Sequence, residues 1–191
     1  MKFILASGSP QRKELLKLVI PEFEIKVSGV EEKLEEGLTV PEQVTRLAYI
    51  KAKDIYEKTE GNRIIIGSDT VVTKNGKIYG KPKTREQAKQ MLIELQEGDK
   101  THSIMTGLCI IISENGKYKE YKTFDEVKIY LKNMSDNEME KWLDTGKAMN
   151  KAGAYGIQNE VCVFIDKIEG NYDTAVGLST HKIYDIIKEY I

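Results

Sequence analysis

Phe3-Ile4-Leu5-Ala6-Ser7-Gly8-Ser9-Pro10-Gln11-Arg12 reads as a buried strand, a tight turn and the opening of an amphipathic helix. A short apolar run followed by turn residues is the signature of a strand feeding a helix. Ser9 suits the N-cap and Pro10 the first helical position, which puts Gln11 and Arg12 in the first turn. A cation there faces unpaired N–H groups and the positive end of the helix dipole. Its placement makes sense if an anion binds at the helix start, because Ser7, Ser9, backbone donors and the Arg12 guanidinium would together hold a phosphate. A capped surface helix with stray charges reads equally well from this segment alone.

Outward from this start, helices and strands alternate, so the expected class is α/β or α+β. The first helix is expected over about residues 10–19 and a strand over Phe23–Ser28, followed by a solvated acidic stretch through Glu31, Glu32, Glu35 and Glu36. Thr39 with Glu42, Thr84 with Gln87 and Ser135 with Glu138 have the spacing of capping boxes and open three more helices, the first running to about Lys58. Asn75-Gly76 and Asn115-Gly116 lie between strand-like runs and predict two-residue hairpins, so the sheet must be mixed. A last helix over about 180–190 carries Ile183, Tyr184, Ile187 and Tyr190 as a packing face.

The chain has 191 residues, 29 basic and 30 acidic, for a net charge of −1. That is enough for one domain with a real core, and too little positive field to hold nucleic acid or an anionic membrane in bulk. No stretch reaches the length of an apolar membrane span and no signal-peptide core precedes the first strand. Cys109 and Cys162 both sit in apolar strand-like runs and are read as buried free thiols. These features suit a soluble, cytoplasmic protein.

Three further segments carry residues that look out of place. In the helix from Val40, Lys51 falls on the stripe of Val44, Leu47 and Ile55, whereas Lys53 falls on the opposite, solvated face. In Ile64-Ile65-Ile66-Gly67-Ser68-Asp69-Thr70-Val71-Val72 a carboxylate interrupts a central strand. Asp69 must then cap a turn at Gly67-Ser68 or face a site holding a cation, a metal or a water. The Asn75-Gly76 turn would set Lys81 opposite Thr70, beside Asp69. In Lys151-Ala152-Gly153-Ala154-Tyr155-Gly156-Ile157-Gln158, small residues would let backbone approach a ligand and Gln158 could read a base edge, although a plain glycine-rich connection remains the alternative. His102 reads as a hydrogen-bonded residue at a strand end, and neither a zinc site nor a hydrolase triad is spaced along the chain.

Taken in order, Leu5-Ala6-Ser7-Gly8-Ser9-Pro10 with Arg12, Glu31-Glu32, Lys51-Ala52, Gly67-Ser68-Asp69-Thr70-Val71-Val72, Gly80-Lys81-Pro82, Thr101-His102 with Thr106-Gly107, and Lys151 to Gln158 closely resemble the Maf family of nucleoside triphosphate pyrophosphatases, from Leu5 to about Gly177. The resemblance implies a single domain over residues 1–191 with a Maf/inosine triphosphatase-like fold. This would be two-lobed, around a mixed, strongly curved sheet with a nucleotide cleft. It implies an enzyme that hydrolyses dTTP and UTP to the monophosphate and pyrophosphate with a divalent cation, magnesium or manganese. Asp69 would be the general base or metal-linked carboxylate, Glu32 a metal ligand, Ser7, Ser9, Arg12, Lys51 and Lys81 the substrate-binding set, and Gln11, Thr70 and Gln158 the base-selecting positions. Gln11 stands where the dTTP- and UTP-specific branch has arginine, which leaves open a house-cleaning pyrophosphatase for modified or non-pyrimidine nucleotides. A non-catalytic nucleotide sensor acting in cell division is the other reading. The expected partner is the nucleotide, without nucleic acid or membrane, and the resemblance leaves room for a homodimer.

Overall fold

The computed structural model describes residues 1–191. In chain order the elements are β1 (Lys2–Leu5), α1 (Pro10–Lys17), β2 (Glu24–Ile25), α2 (Val40–Glu57), β3 (Arg63–Lys74), β4 (Lys77–Tyr79), α3 (Arg85–Gln96), β5 (Thr101–Glu114), β6 (Lys117–Leu131), α4 (Asp136–Asp144), β7 (Ile165–Glu169), α5 (Tyr172–Val176) and α6 (Thr180–Ile187). Three short 3₁₀ turns, Lys147–Asn150, Ala152–Ala154 and Glu160–Phe164, precede β7. The strands form one seven-stranded sheet in the order β2-β1-β3-β5-β6-β7, with β4 beside β3. It is mixed: β1 runs parallel to β2 and β3, whereas β4 and β7 are antiparallel to their neighbours.

The chain forms two compact units, and β3, β5 and β6 each contribute to both. The first comprises Met1–Asp69, Thr106–Asp125 and Gly177–Ile191. Its α2 lies on one sheet face, burying Ala48, Ala52 and Ile55 against Ile4, Ala6, Ile65, Cys109 and Ile111. Two glycines set how close α2 comes. A Cβ on Gly67 would stand 2.3 Å from the Ala48 carbonyl oxygen, and one on Gly107 would stand 2.1 Å from that of Val44. Backbone therefore rests on backbone, and any side chain at either position would lift the helix.

The second unit comprises Thr70–Met105 and Glu126–Val176. Its core draws on Leu92 and Leu95 of α3, Met139, Trp142 and Leu143 of α4, and Val127 and Ile129 of β6. Trp142 Nε1 donates to the Ala154 carbonyl at 2.8 Å. Buried His102 meets the Tyr155 hydroxyl through Nε2, as a hydrogen-bonded strand residue should. Gly153 serves packing: a Cβ there would press on the Val72 side chain at 3.1 Å, and its φ of +65° suits only glycine comfortably.

Local signals and structure agree at the helix starts. Thr39 and Ser135 form complete capping boxes, and Thr84 accepts from Gln87 N–H while the Gln87 side chain turns to Lys83. Both Asn-Gly pairs have positive φ, the backbone a twisted two-residue hairpin needs.

Several expectations need correction. The strand expected over 23–28 forms ladder pairs only at Glu24 and Ile25, because its neighbour β1 ends at Leu5. Helix α1 stops at Lys17, α6 stops at Ile187, and Tyr184 is exposed instead of packed. Cys162 lies exposed in a 3₁₀ turn, although Cys109 is buried as expected; both are free. The first hairpin has the expected register, Val72 opposite Tyr79 through Lys74 opposite Lys77, but the ladder goes no further. The Gly80 carbonyl accepts from Gly153 N–H at 3.1 Å, so Lys81 does not take a ladder position opposite Thr70. Lys53 is half-buried, with its ammonium over the rings of Tyr56 and Tyr118 at 4.9 and 5.1 Å, instead of solvated.

Candidate active site

The site in the first unit begins at the turn between β1 and α1. Ser9 caps α1, its hydroxyl accepting from Arg12 N–H at 3.4 Å and donating to Gln11 Oε1 at 3.1 Å. The Arg12 side chain turns back across the helix start and ties together distant parts of the chain. Its Nε donates to the Gly177 carbonyl at 2.9 Å, and one terminal nitrogen donates to the Ser68 carbonyl at 2.9 Å and Ser7 Oγ at 3.3 Å. Ser68, fully buried, sends its own hydroxyl to the same Gly177 carbonyl at 3.2 Å. Burial pulls the Arg12 pKa below its ordinary value, while the negative charges of Asp69 and Glu32 oppose that shift. The planar fork holds the cation beside Asp69 in a fixed orientation.

Asp69 continues β3 without a turn, which removes the capping alternative. It shares a strand face with Gly67, the face against which α2 is pressed. That contact brings Lys51 over the carboxylate. Lys51 and Asp69 are each 6% exposed, and Lys51 Nζ donates to Asp69 Oδ1 at 2.6 Å. The same ammonium lies 2.9 Å from Glu32 Oε1, so one lysine is shared by two carboxylates. A pair taken this far out of water persists only because each charge has its partner.

Glu32 is on a loop without regular structure, and α2 staples that loop in place. Gln43, buried, accepts from Glu35 N–H at 3.1 Å and donates to the Glu35 carbonyl. Arg46 donates to the Lys33 carbonyl at 2.6 Å and pairs with Glu35 at 2.9 Å. Sequence reasoning missed Gln43, Arg46, Ser68 and the Gly177 carbonyl. No spacing marks them, because each takes part in a contact between a side chain of one segment and a backbone atom of another.

Ser7, Ser9, Gln11, Arg12, Glu32, Lys51 and Asp69 thus all belong to the first unit, and hydrogen bonds or ion pairs link Arg12 to Ser7 and Lys51 to both acids. Thr70, Lys81 and Gln158 belong to the second. There Thr70 is half-buried on β3, Lys81 is exposed just past β4, and Gln158 is exposed at the end of the small-residue segment. No three His, Cys, Asp or Glu side chains gather into a metal cage. Glu32 and Asp69 nevertheless converge on one cationic group, and a hard cation that also binds substrate phosphates needs only one or two protein carboxylates. The donor set therefore fits magnesium or manganese.

The family model described as Maf-like protein matches residues 2–190. Curated relatives named dTTP/UTP pyrophosphatase include one from Alkaliphilus oremlandii (strain OhILAs), 41% identical over 99% of this chain and 96% of its own. Another, from Thermoanaerobacter sp. (strain X514), is 39% identical over 98% and 96%, and one from Acetivibrio thermocellus is 37% identical over 100% and 96%. Among solved structures, a HAM1 protein from Coxiella burnetii aligns over 99% of both chains at 16% identity with a TM-score of 0.47.

Proposed function

The chain belongs to the Maf-like protein family, and from that premise we propose that it is a nucleoside triphosphate pyrophosphatase hydrolysing dTTP and UTP to the monophosphate and pyrophosphate. The observation that carries this reading is the Lys51 ammonium held between Asp69 and Glu32 beside the anchored Arg12, in a chain alignable end to end with dTTP/UTP pyrophosphatases. We take residues 1–191 as one catalytic domain acting in the cytoplasm, where these nucleotides are made and used.

Ser7, Ser9 and the N–H groups at the start of α1 bind phosphate oxygens, and Arg12 orients them from its fixed fork. Lys51 offsets the repulsion between the two carboxylates and lends its positive charge to the triphosphate. Asp69, engaged by Lys51 through Oδ1, takes the proton from a water directed at the α-phosphorus. The α-to-β bridging oxygen then leaves with pyrophosphate. Glu32 and Asp69 would hold the magnesium or manganese ion, which supplies charge neutralisation on the phosphate oxygens when bound. Lys81 adds to the phosphate clamp, and Gln11, Thr70 and Gln158 select the base.

The test is a panel of canonical and modified triphosphates, with and without magnesium, in water enriched in the heavy oxygen isotope. Pyrophosphate and labelled monophosphate, fastest from dTTP and UTP, are expected. Orthophosphate as first product would overturn the chemistry, and a purine or modified nucleotide as best substrate would overturn the specificity.

A further inference from the structure

Within the second unit, the small-residue segment that leads to Gln158 is held from three directions at three successive residues. Gly153 N–H donates to the Gly80 carbonyl at 3.1 Å, the Ala154 carbonyl accepts from Trp142 Nε1 at 2.8 Å, and the Tyr155 hydroxyl meets His102 Nε2. These partners lie just past β4, on α4 and on β5. Ala154, Tyr155, Trp142 and His102 are all buried. Beyond them, Asn159 N–H closes a turn onto the Gly156 carbonyl at 3.0 Å, and Gln158 is exposed on that turn.

The strained residue of this segment is Ala154. Gly153 and Ala154 follow one another at φ of +65° and +62°, and a residue with a Cβ rarely enters that left-handed region. Asparagine, which supplies positive φ at both hairpin turns, eases the cost with its own polar side chain; alanine has none. The conformation therefore persists because surrounding structure imposes it. Ala154 N–H bonds locally, to the Lys151 carbonyl at 3.1 Å, and the hydrogen bond that reaches Ala154 from outside the segment is the one from the Trp142 indole. Core packing alone would be served by a phenylalanine ring. The buried indole N–H needs an acceptor, and it finds one on the residue whose backbone most needs holding.

Given Gln158 as a base-selecting residue, the reading on which this rests, we propose that Trp142 is a positioning residue for base selection. Its hydrogen bond holds Ala154 left-handed, and the held turn sets the direction in which the chain runs on to Gln158. The same turn bonds to Gly80, the neighbour of Lys81, so the base reader and that lysine share one support.

Trp142→Phe keeps an aromatic ring in the core and removes the donor. The ratio of kcat/KM for dTTP to that for dCTP, measured on one sample so that the folded fraction cancels, is expected to fall about three- to tenfold. The fall should come through a higher KM for dTTP, with kcat per folded molecule within about twofold of the wild type. Adding Ala154→Gly to Trp142→Phe is expected to recover most of the ratio, because glycine holds a φ near +62° without help. Loss of core packing would leave the ratio alone, and a smaller residue at 154 would not repair it. An unchanged ratio in Trp142→Phe, or a loss that the added glycine does not repair, would overturn the proposal. Gln158→Ala separates the two levels: if it loses the ratio while Trp142→Phe keeps it, the positioning role falls alone. If Gln158→Ala keeps the wild-type ratio, the base-selecting reading falls and the positioning role with it.

Discussion

Asp69 is a carboxylate among isoleucines and valines, and its burial is tolerated because Lys51 stands 2.6 Å away. If Asp69 takes the proton from water, Asp69→Asn should lower kcat about 10²- to 10⁴-fold while leaving nucleotide affinity within a few-fold, read by steady-state kinetics and calorimetry. Arg12 tests a different property. Its guanidinium serves three acceptors in fixed directions, so Arg12→Lys keeps the charge but loses the fork; a fall in kcat/KM together with a lower Tm is expected. His102 gives a pH signature. Burial pulls its pKa from 6.5 to about 4, so the unfolded chain takes up a proton that the folded chain refuses. Stability should be complete above about pH 6.5 and fall as the pH drops toward 4, by on the order of 3 kcal/mol, checked by urea unfolding at several pH values. His102→Asn should flatten that slope.

Helix α2 carries most of the site's construction. The apolar stripe and the misplaced lysine were legible in the sequence, as were the caps, because both obey periods of a few residues. What α2 does with Gln43 and Arg46 was not legible, since their partners are main-chain atoms of a loop without a pattern of its own. The dependence of Lys51 on the glycine beneath the helix can be measured directly. Gly67→Ala should cost about 1–3 kcal/mol by forcing α2 off the sheet, and should depress turnover beyond any loss of folded protein, because Lys51 rides on that helix. Denaturant unfolding and activity per folded molecule separate the two effects. The hairpin from Val72 to Tyr79 shows where local rules end: its turn fixed the register as far as the ladder ran, and the chain then left to meet Gly153.

Neither compact unit is a contiguous piece of chain; the first draws on three segments and the second on two. No single cut therefore releases either one, and β3, β5 and β6 carry the backbone through both without a linker. Thermal and denaturant unfolding should accordingly show one transition, with coincident signals from Trp142 in the second unit and from far-ultraviolet circular dichroism of the whole chain. Two separated transitions would assign the chain two domains. At this scale the net charge of −1 gives no surface-wide positive field, which leaves phosphate binding to local groups at the start of α1 and to Arg12.

The order of strands and helices, the starts of the capped helices, both hairpins and the oddity of Arg12, Lys51 and Asp69 were determined by the sequence alone, because each is written in residues a few positions apart. Only the tertiary structure decided that Lys51 is shared between Asp69 and Glu32 and that Arg12 is anchored to Ser68 and Gly177. Those contacts join segments up to 165 residues apart, and a hydrogen bond between such distant groups, often to backbone atoms every residue possesses, leaves no local pattern to read.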